Sequence, residues 1–219
     1  MKLLILIPCY NTHKYLNDLI SLLRSQTHSK IIVIDDGSSP SINIDKFEDN
    51  DLFLMRNTIN RGKGYSLKLG FKYAIENNYT HAITLDGDMQ HDPMEINKFI
   101  DAEQNIDFLL GYRKFSKPMP LSRIISNTIT SKIISILKTK TIHDSQCGYR
   151  RYKIDAIKNL VFVENGYLFE SEILLNSINK KINIENINIR VIYDNSPSHI
   201  NKLNDSINFI KLITRYIFA

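Results

Sequence analysis

Short runs of β-branched and other apolar residues, each ended by a polar turn and separated by segments of helical spacing, restrict this chain to a small set of folds. Leu3–Ile7 runs into Pro8 and reads as a strand ending in a loop. Lys14–Leu23 then places Tyr15, Leu19, Leu22 and Leu23 at helical spacing, and Ile31–Ile34 is a second strand stopped by Asp35-Asp36-Gly37-Ser38-Ser39-Pro40. Asp51–Met55 adds a third short strand, Tyr65–Glu76 a helix with Leu67, Phe71, Ala74 and Ile75 on one side, and His81–Leu85 a fourth strand. Strands alternating with helices require right-handed crossovers and a mostly parallel sheet buried on both faces. The front part, residues 1–110, therefore reads as a doubly wound, Rossmann-like α/β layer flanked by helices. Its ligands belong in the loops after the strand C-termini.

Past Gly111 the spacing predicts a long amphipathic helix over Leu121–Leu137, opened by Pro118 and Pro120, and a polar loop over 139–149. A helix near Leu168–Ile178, a strand at Ile187–Tyr193 and a helix over Ser206–Ile217 follow. No internal repeat or low-complexity linker interrupts the 219 residues, a length that one large core can serve, so a single domain over 1–219 is expected. With 43% hydrophobic and 23% charged residues the chain is neither disordered nor fibrous.

The charge is unevenly placed. Residues 1–110 carry 11 Lys/Arg against 15 Asp/Glu, whereas 111–219 carry 17 against 8. The basic back half invites a nucleic-acid reading, but no recognition-helix, zinc or RNA-binding motif is present and the acidic front edge would repel a polyanion. No stretch reaches the ~18 consecutive apolar residues that span a bilayer, and Leu3–Ile7 is too short for a signal-peptide core. The expectation is a cytoplasmic protein, with any membrane contact peripheral and at the inner face of the cytoplasmic membrane. Cys9 and Cys147 lie in unrelated contexts, which leaves neither a disulfide framework nor a CxxC metal site.

The segment richest in chemistry is Leu85-Asp86-Gly87-Asp88-Met89-Gln90-His91-Asp92-Pro93. In extended chain, positions i and i+2 project the same way, so Asp86 and Asp88 can face one divalent cation with Gln90 as a third oxygen ligand. Hard oxygen ligands favour Mg²⁺ or Mn²⁺. A polar turn with a helix cap is the plainer reading of such a triplet; the apolar strand before it and the helix start at Pro93 weigh towards metal. Asp35-Asp36-Gly37-Ser38-Ser39 brings further carboxylates and a helix-capping serine to the same sheet edge, suited to a base or ribose, although Asp-Gly-Ser is also ordinary turn chemistry. Asn60-Arg61-Gly62-Lys63-Gly64, ahead of a helix, fits either a phosphate-binding turn or a flexible basic turn, and it lacks P-loop spacing. His91 and His143 read as structural or hydrogen-bonding residues, since no second His lies at ligand spacing.

Together with Ile7-Pro8-Cys9-Tyr10-Asn11, these loops resemble the nucleotide-sugar half of the inverting family 2 glycosyltransferases. The segments Asp86–Pro93, Gly111-Tyr112-Arg113 and Asp144-Ser145-Gln146-Cys147-Gly148-Tyr149-Arg150 are similar to the dolichyl-phosphate mannosyltransferase branch and its bacterial polyprenyl-phosphate relatives. The resemblance runs from Ile5 to about Tyr193. It implies a GT-A fold holding a nucleoside-diphosphate sugar at the sheet edge. Pro8, Tyr10, Asn11 and Asp35 or Asp36 would then contact the nucleoside, Asp86, Asp88 and Gln90 would hold the cation, and Lys63 would support the donor. Arg113, Arg123 and Ser126 would face the acceptor, with Asp144 and Arg150 on the loop closing over the reaction centre. The family commonly has Glu after the Tyr-Asn pair where this chain has Thr12, so the nucleotide base is not inferred.

The implied reaction is a single displacement at the anomeric carbon, with a lipid phosphate or a glycan hydroxyl as acceptor. Arg113 and Arg123 offer planar forks suited to phosphate, their alternative being solvated surface cations. A hydroxyl acceptor needs a base, for which Asp144 is the candidate. An inert sugar-nucleotide-binding module is the competing class, disfavoured by the acidic triplet. Phe169-Glu170-Ser171-Glu172 resembles a family motif whose carboxylates either orient a loop or arginine in the site or stand exposed on a helix. Leu121–Leu137 and the basic C-terminal stretch each fit a helix packed on the sheet or one lying on a membrane surface.

Overall fold

Every residue of β1 (Leu3–Cys9) is buried, because a strand at the centre of a sheet covered on both sides has no wet face. Its side chains alternate between two cores. Leu4 and Leu6 join one, and Leu3, Ile5 and Ile7 join the other. The computed structural model describes residues 1–114, 121–178, 180–192 and 202–217, without the side chains of 121–123, 202–207 and 217.

Among the described residues seven strands form one sheet in the order β3-β2-β1-β4-β6-β5-β7. β2 (Lys30–Asp35), β3 (Leu52–Arg56) and β4 (His81–Thr84) extend the sheet in parallel from β1. β6 (Arg150–Lys153) lies antiparallel between β4 and β5 (Phe108–Arg113), and β7 (Ile184–Ile189) pairs in parallel with β5 at the edge. Both sequence halves thus contribute to one mostly parallel sheet. α1 (His13–Gln26) and α3 (Ile96–Ile100) pack on one face. α2 (Lys63–Glu76), α4 (Leu121–Lys138), α5 (Ile154–Ile157), α6 (Phe169–Asn176) and α7 (Lys202–Ile217) cover the other.

Several boundaries differ from the pattern-based reading. β1 runs through Pro8, which pairs in register with Ile34, and the chain turns only at Asn11, whose φ is 54°. Pro93–Glu95 forms a 3₁₀ turn capped by the Asp92 carboxylate, which accepts from the Met94 N–H at 3.0 Å. β6 escapes the periodicity because it reads Arg-Arg-Tyr-Lys, yet Arg150 and Arg151 are both fully buried. Arg151 donates to the Phe99, Ala102 and Glu103 carbonyls, closing the C-terminal end of α3. Among the described residues no helix is long and apolar enough to cross a membrane.

Candidate active site

β4 ends at Thr84, and the chain leaves the sheet edge through Asp86-Gly87-Asp88-Met89. These residues form a turn, with Met89 at φ 59° and the Gln90 N–H donating to Asp88 Oδ1 at 3.1 Å. The extended-chain placement of Asp86 and Asp88 is therefore corrected: a turn sets the two carboxylates beside each other. Gly87 is required there, since a Cβ would stand 2.6 Å from Cys9 Sγ. Burial, and then the Asp86 charge, push the Asp88 carboxyl up to about 6.

Asp86 has an internal cation. Lys63, the first residue of α2, places Nζ 2.5 Å from Asp86 Oδ1 and 2.5 Å from Glu170 Oε1. Burial alone would lower the lysine, but the two carboxylates outweigh it and hold the ammonium well above its usual range. Burial would likewise raise Asp86, and Lys63, with Arg113 adding to it, holds it below the usual carboxylate range. Gly148 sits directly on this pair: a Cβ there would lie 2.6 Å from both Asp86 Oδ2 and Lys63 Nζ. Its carbonyl accepts from Thr84 Oγ1 at 2.8 Å, which fixes the loop over the end of β4. Glu170 and Glu172 are 3% and 0% exposed, so the reading of exposed helix carboxylates fails. Glu172 instead accepts from the Val163 and Glu164 N–H groups and from Tyr216 Oη.

The Asp35–Ser39 loop is more self-contained than its sequence suggests. Asp35 is fully buried and its carboxylate accepts from the Ser38 and Ile42 N–H groups. Each of its two oxygens is thus engaged by a backbone N–H of its own loop. Asp36 accepts from Asn57 Nδ2 and from the Arg61 and Gly62 N–H groups. The Arg61 and Gly62 N–H groups, candidates for a phosphate, are spent on that carboxylate, and of the loop's two cations Arg61 is exposed while Lys63 is held by Asp86 and Glu170. Ser38 caps no helix; its Oγ accepts from the Asn11 N–H, and Asn11 Oδ1 accepts from the Ser39 N–H. Pro8 is buried in β1, whereas Tyr10 is 48% exposed beside Asn11.

Across the site, Arg113 at the end of β5 holds Asp144 with two bonds, Nε to Oδ2 at 2.6 Å and Nη2 to Oδ1 at 3.1 Å. Asp144 is fully buried and also accepts from the Gln146 N–H. Arg150 does not face an acceptor. Its guanidinium is fully buried and donates to the Cys147, Ser145 and Glu170 carbonyls and to Tyr152 Oη, so it builds the 144–150 loop from inside. Ser126 is exposed on α4, and the Arg123 side chain lies outside the described residues. The half-exposed Tyr167 was not singled out by any motif, yet Lys63, Asp86 and Asp88 all bear on its phenol.

His91 is buried and burial lowers it to about 4, so it is neutral. Its Nδ1 has no hydrogen-bond partner and lies 3.9 Å from Asp86 Oδ2, while Nε2 is 3.5 Å from Cys147 Sγ. Burial pushes both cysteine thiols, Cys9 and Cys147, up to about 12, which removes them as nucleophiles. Among the described residues no three His, Cys, Asp or Glu side chains converge as a complete ligand set. Asp86 and Asp88 bring hard carboxylate oxygens to one turn, and burial followed by the Asp86 charge opposes ionisation of Asp88 there. A diphosphate would bring the remaining oxygens.

The family model described as Glycosyl transferase family 2 matches residues 4–160, from β1 through β6. The UDP-N-acetylglucosamine–dolichyl-phosphate N-acetylglucosaminyltransferase of Methanococcus voltae is 28% identical over 213 residues, covering 86% of this chain and 85% of that one. The undecaprenyl-phosphate mannosyltransferase of Micrococcus luteus is 25% identical over 186 residues, covering 78% of this chain and 75% of that one. In structure, glucosyl-3-phosphoglycerate synthase from Mycobacterium tuberculosis, solved with Mn²⁺, uridine diphosphate and phosphoglyceric acid, matches with a TM-score of 0.70. That match covers 98% of this chain and 78% of the synthase at 13% identity, and another structure of the same enzyme holds Mg²⁺ and uridine diphosphate. With the family match spanning most of the sheet and the GT-A arrangement shared across nearly the whole chain, this protein belongs to glycosyl transferase family 2.

Proposed function

We propose that the chain transfers a hexose from a nucleoside-diphosphate sugar to polyprenyl phosphate, with inversion at the anomeric carbon and dependence on Mg²⁺ or Mn²⁺. Asp86, Asp88 and Gln90 would hold the cation, which when bound offsets the charge that builds on the departing diphosphate. Lys63 keeps Asp86 ionised and, through Glu170, fixed in place. Tyr10 and Asn11 would meet the nucleoside. An acceptor phosphate oxygen attacks the anomeric carbon, the bond from that carbon to the diphosphate oxygen breaks, and the nucleoside diphosphate leaves with the electron pair.

The observation that favours a phosphate over a hydroxyl acceptor is the state of Asp144. Both of its oxygens are engaged by Arg113 and it is fully buried, a poor disposition for a general base. A lipid phosphate is already ionised near neutral pH and needs none. Arg123 and Ser126 from α4 would meet it, while Arg113 keeps its Nε and Nη2 on Asp144. The dolichyl- and undecaprenyl-phosphate acceptors named for the two relatives support the same acceptor class. Such an acceptor places the enzyme at a membrane surface as a peripheral protein.

The test is a partition assay. A panel of radiolabelled nucleotide sugars is incubated with polyprenyl phosphate or with oligosaccharides, with Mg²⁺ or Mn²⁺, and extracted into organic solvent. Label entering the organic phase with one donor is the expected result; label joining oligosaccharide instead moves the assignment to a hydroxyl acceptor.

A further inference from the structure

His91 is a buried polar side chain with no part in the transfer chemistry. It is 3% exposed, and its Nδ1 is sealed from solvent without a hydrogen-bond partner. A buried polar atom left unpaired is costly, and folds ordinarily satisfy it or remove it. Here the chain does neither, and it also holds the ring still. The His91 backbone bridges to Val191, with the Ile192 N–H donating to the Gln90 carbonyl at 2.9 Å and the Asp92 N–H to the Arg190 carbonyl at 3.4 Å. The imidazole leans on the Tyr149 ring, centroid to centroid 5.8 Å. Nδ1 is therefore aimed, and it faces Asp86 Oδ2 at 3.9 Å.

Two neighbours decide which ring nitrogen carries the proton. Nε2 lies 3.5 Å from Cys147 Sγ, and burial keeps that thiol protonated, so the S–H donates to Nε2. The other acceptor within reach of the thiol, the Tyr149 carbonyl, is farther away at 4.0 Å. On the opposite side, Asp86 is paired with Lys63 as a carboxylate, and an anionic oxygen facing Nδ1 favours a proton there over a lone pair. Both neighbours thus select the same neutral tautomer, with the hydrogen on Nδ1. A chain of polar groups then runs from the 144–150 loop through Cys147 and His91 to the carboxylate turn. The 3.9 Å separation is roughly 0.7 Å beyond an ordinary N–H···O bond, so the last contact is poised and not yet made. Carboxylates that ligate metals are commonly oriented by a donor of this kind, one step removed from the ion.

We propose that His91 is a positioning residue of the cation site: its Nδ1–H, set by Cys147 on Nε2, closes onto Asp86 Oδ2 and holds that carboxylate when a divalent ion is bound. His91 itself does not touch the ion. The inference rests on the reading of Asp86 and Asp88 as the cation site, and it ties the occupancy of that site to the 144–150 loop that carries Cys147.

Two measurements test it. In metal-free protein carrying isotopically labelled histidine, two-bond proton–nitrogen correlations read the tautomer of each ring, and the His91 signal is the one missing from a His91 variant. The Nδ1–H form is expected; an Nε2–H form, or a charged ring near neutral pH, overturns the proposal. The second measurement is Mn²⁺ affinity by electron paramagnetic resonance, with uridine or guanosine diphosphate present, for wild type, His91→Asn and His91→Gln. An asparagine amide occupies the place of Nδ1, whereas a glutamine amide reaches the place of Nε2. His91→Gln is expected to weaken Mn²⁺ binding about 10–100-fold, and His91→Asn to stay within about threefold of wild type. Thermal unfolding in chelator establishes that both variants are folded. Equal affinity in all three proteins, or an equal loss in both variants, overturns the positioning role, since a merely structural histidine would not distinguish the two amides. Nitrogen hyperfine coupling from labelled histidine to the ion also overturns it, because His91 would then be a ligand. A wild type whose Mn²⁺ affinity neither nucleotide raises removes the cation site and this inference with it, whereas tight wild-type binding with unaltered variants removes the inference alone.

Discussion

Asp88 and Asp144 are carboxylates at the same site, and their surroundings are opposite. Asp144 is buried with its charge matched inside the chain by two bonds from Arg113. Asp88 shares its turn with Asp86, whose lysine is already divided between Asp86 and Glu170, and its carboxyl is pushed up to about 6. The fold thus pairs one carboxylate with a guanidinium and buries the other beside a second carboxylate. A bound divalent ion would favour the charged form of the second, and the first ties β5 to the 144–150 loop.

The comparison is broken most severely by Asp88→Asn. Transfer should fall by about 10³-fold or more at saturating Mg²⁺, as expected when charge on a leaving diphosphate goes uncompensated; steady-state kcat with the preferred donor measures it. Gly148→Ala comes next. Its new Cβ would meet Asp86 Oδ2 and Lys63 Nζ at 2.6 Å, so the pair must shift, and kcat/KM should drop about 10²-fold. Asp144→Asn is expected to do the reverse of Asp88→Asn. It neutralises a buried carboxylate that Arg113 holds with two bonds and should cost about 2–4 kcal/mol in denaturant unfolding, while the folded fraction keeps turnover on polyprenyl phosphate within about tenfold. A rate loss as large as that of Asp88→Asn would restore the general-base role.

The smallest effect is one of pH. In metal-free protein the folded Asp88 carboxyl is raised above its unfolded value, so its charged form opposes folding above about pH 6. That penalty should fade as pH falls from about 6 towards 4, where the folded form takes up the proton first. Asp88→Asn should therefore stabilise the metal-free chain near neutral pH by roughly 1–2 kcal/mol, a gain that shrinks on acidification. Thermal unfolding in chelator across that range reads it, and a variant no more stable than wild type at pH 7 contradicts the raised carboxyl.

The same contrast explains what the sequence reveals and what it hides. β1 to β4, α1 and α2 are legible because β-branched runs and helical spacing announce them, and the Asp86–Pro93 segment because it couples a buried strand to paired carboxylates. β6 is hidden, since two arginines and a lysine look like surface until Arg150 and Arg151 are seen to satisfy backbone carbonyls inside the fold. The saturation of Asp36 is equally invisible, because its partners Asn57, Arg61 and Gly62 are 21 to 26 residues away. The Lys63–Glu170 pair joins the first helix after the glycine turn to α6 in the back half, a contact no local pattern encodes. Motifs identify which residues matter, whereas long-range hydrogen bonds decide which of them remain available to a ligand.

The most direct measurement is calorimetric titration of uridine and guanosine diphosphates into wild type and Asp88→Asn, each with Mn²⁺ and with chelator. At least one nucleotide should bind wild type only with metal, and Asp88→Asn should lose that dependence together with most of the affinity. Binding of equal strength in chelator, or unchanged by Asp88→Asn, would contradict the assignment of the Asp86–Asp88 turn as the place where the chain borrows a cation.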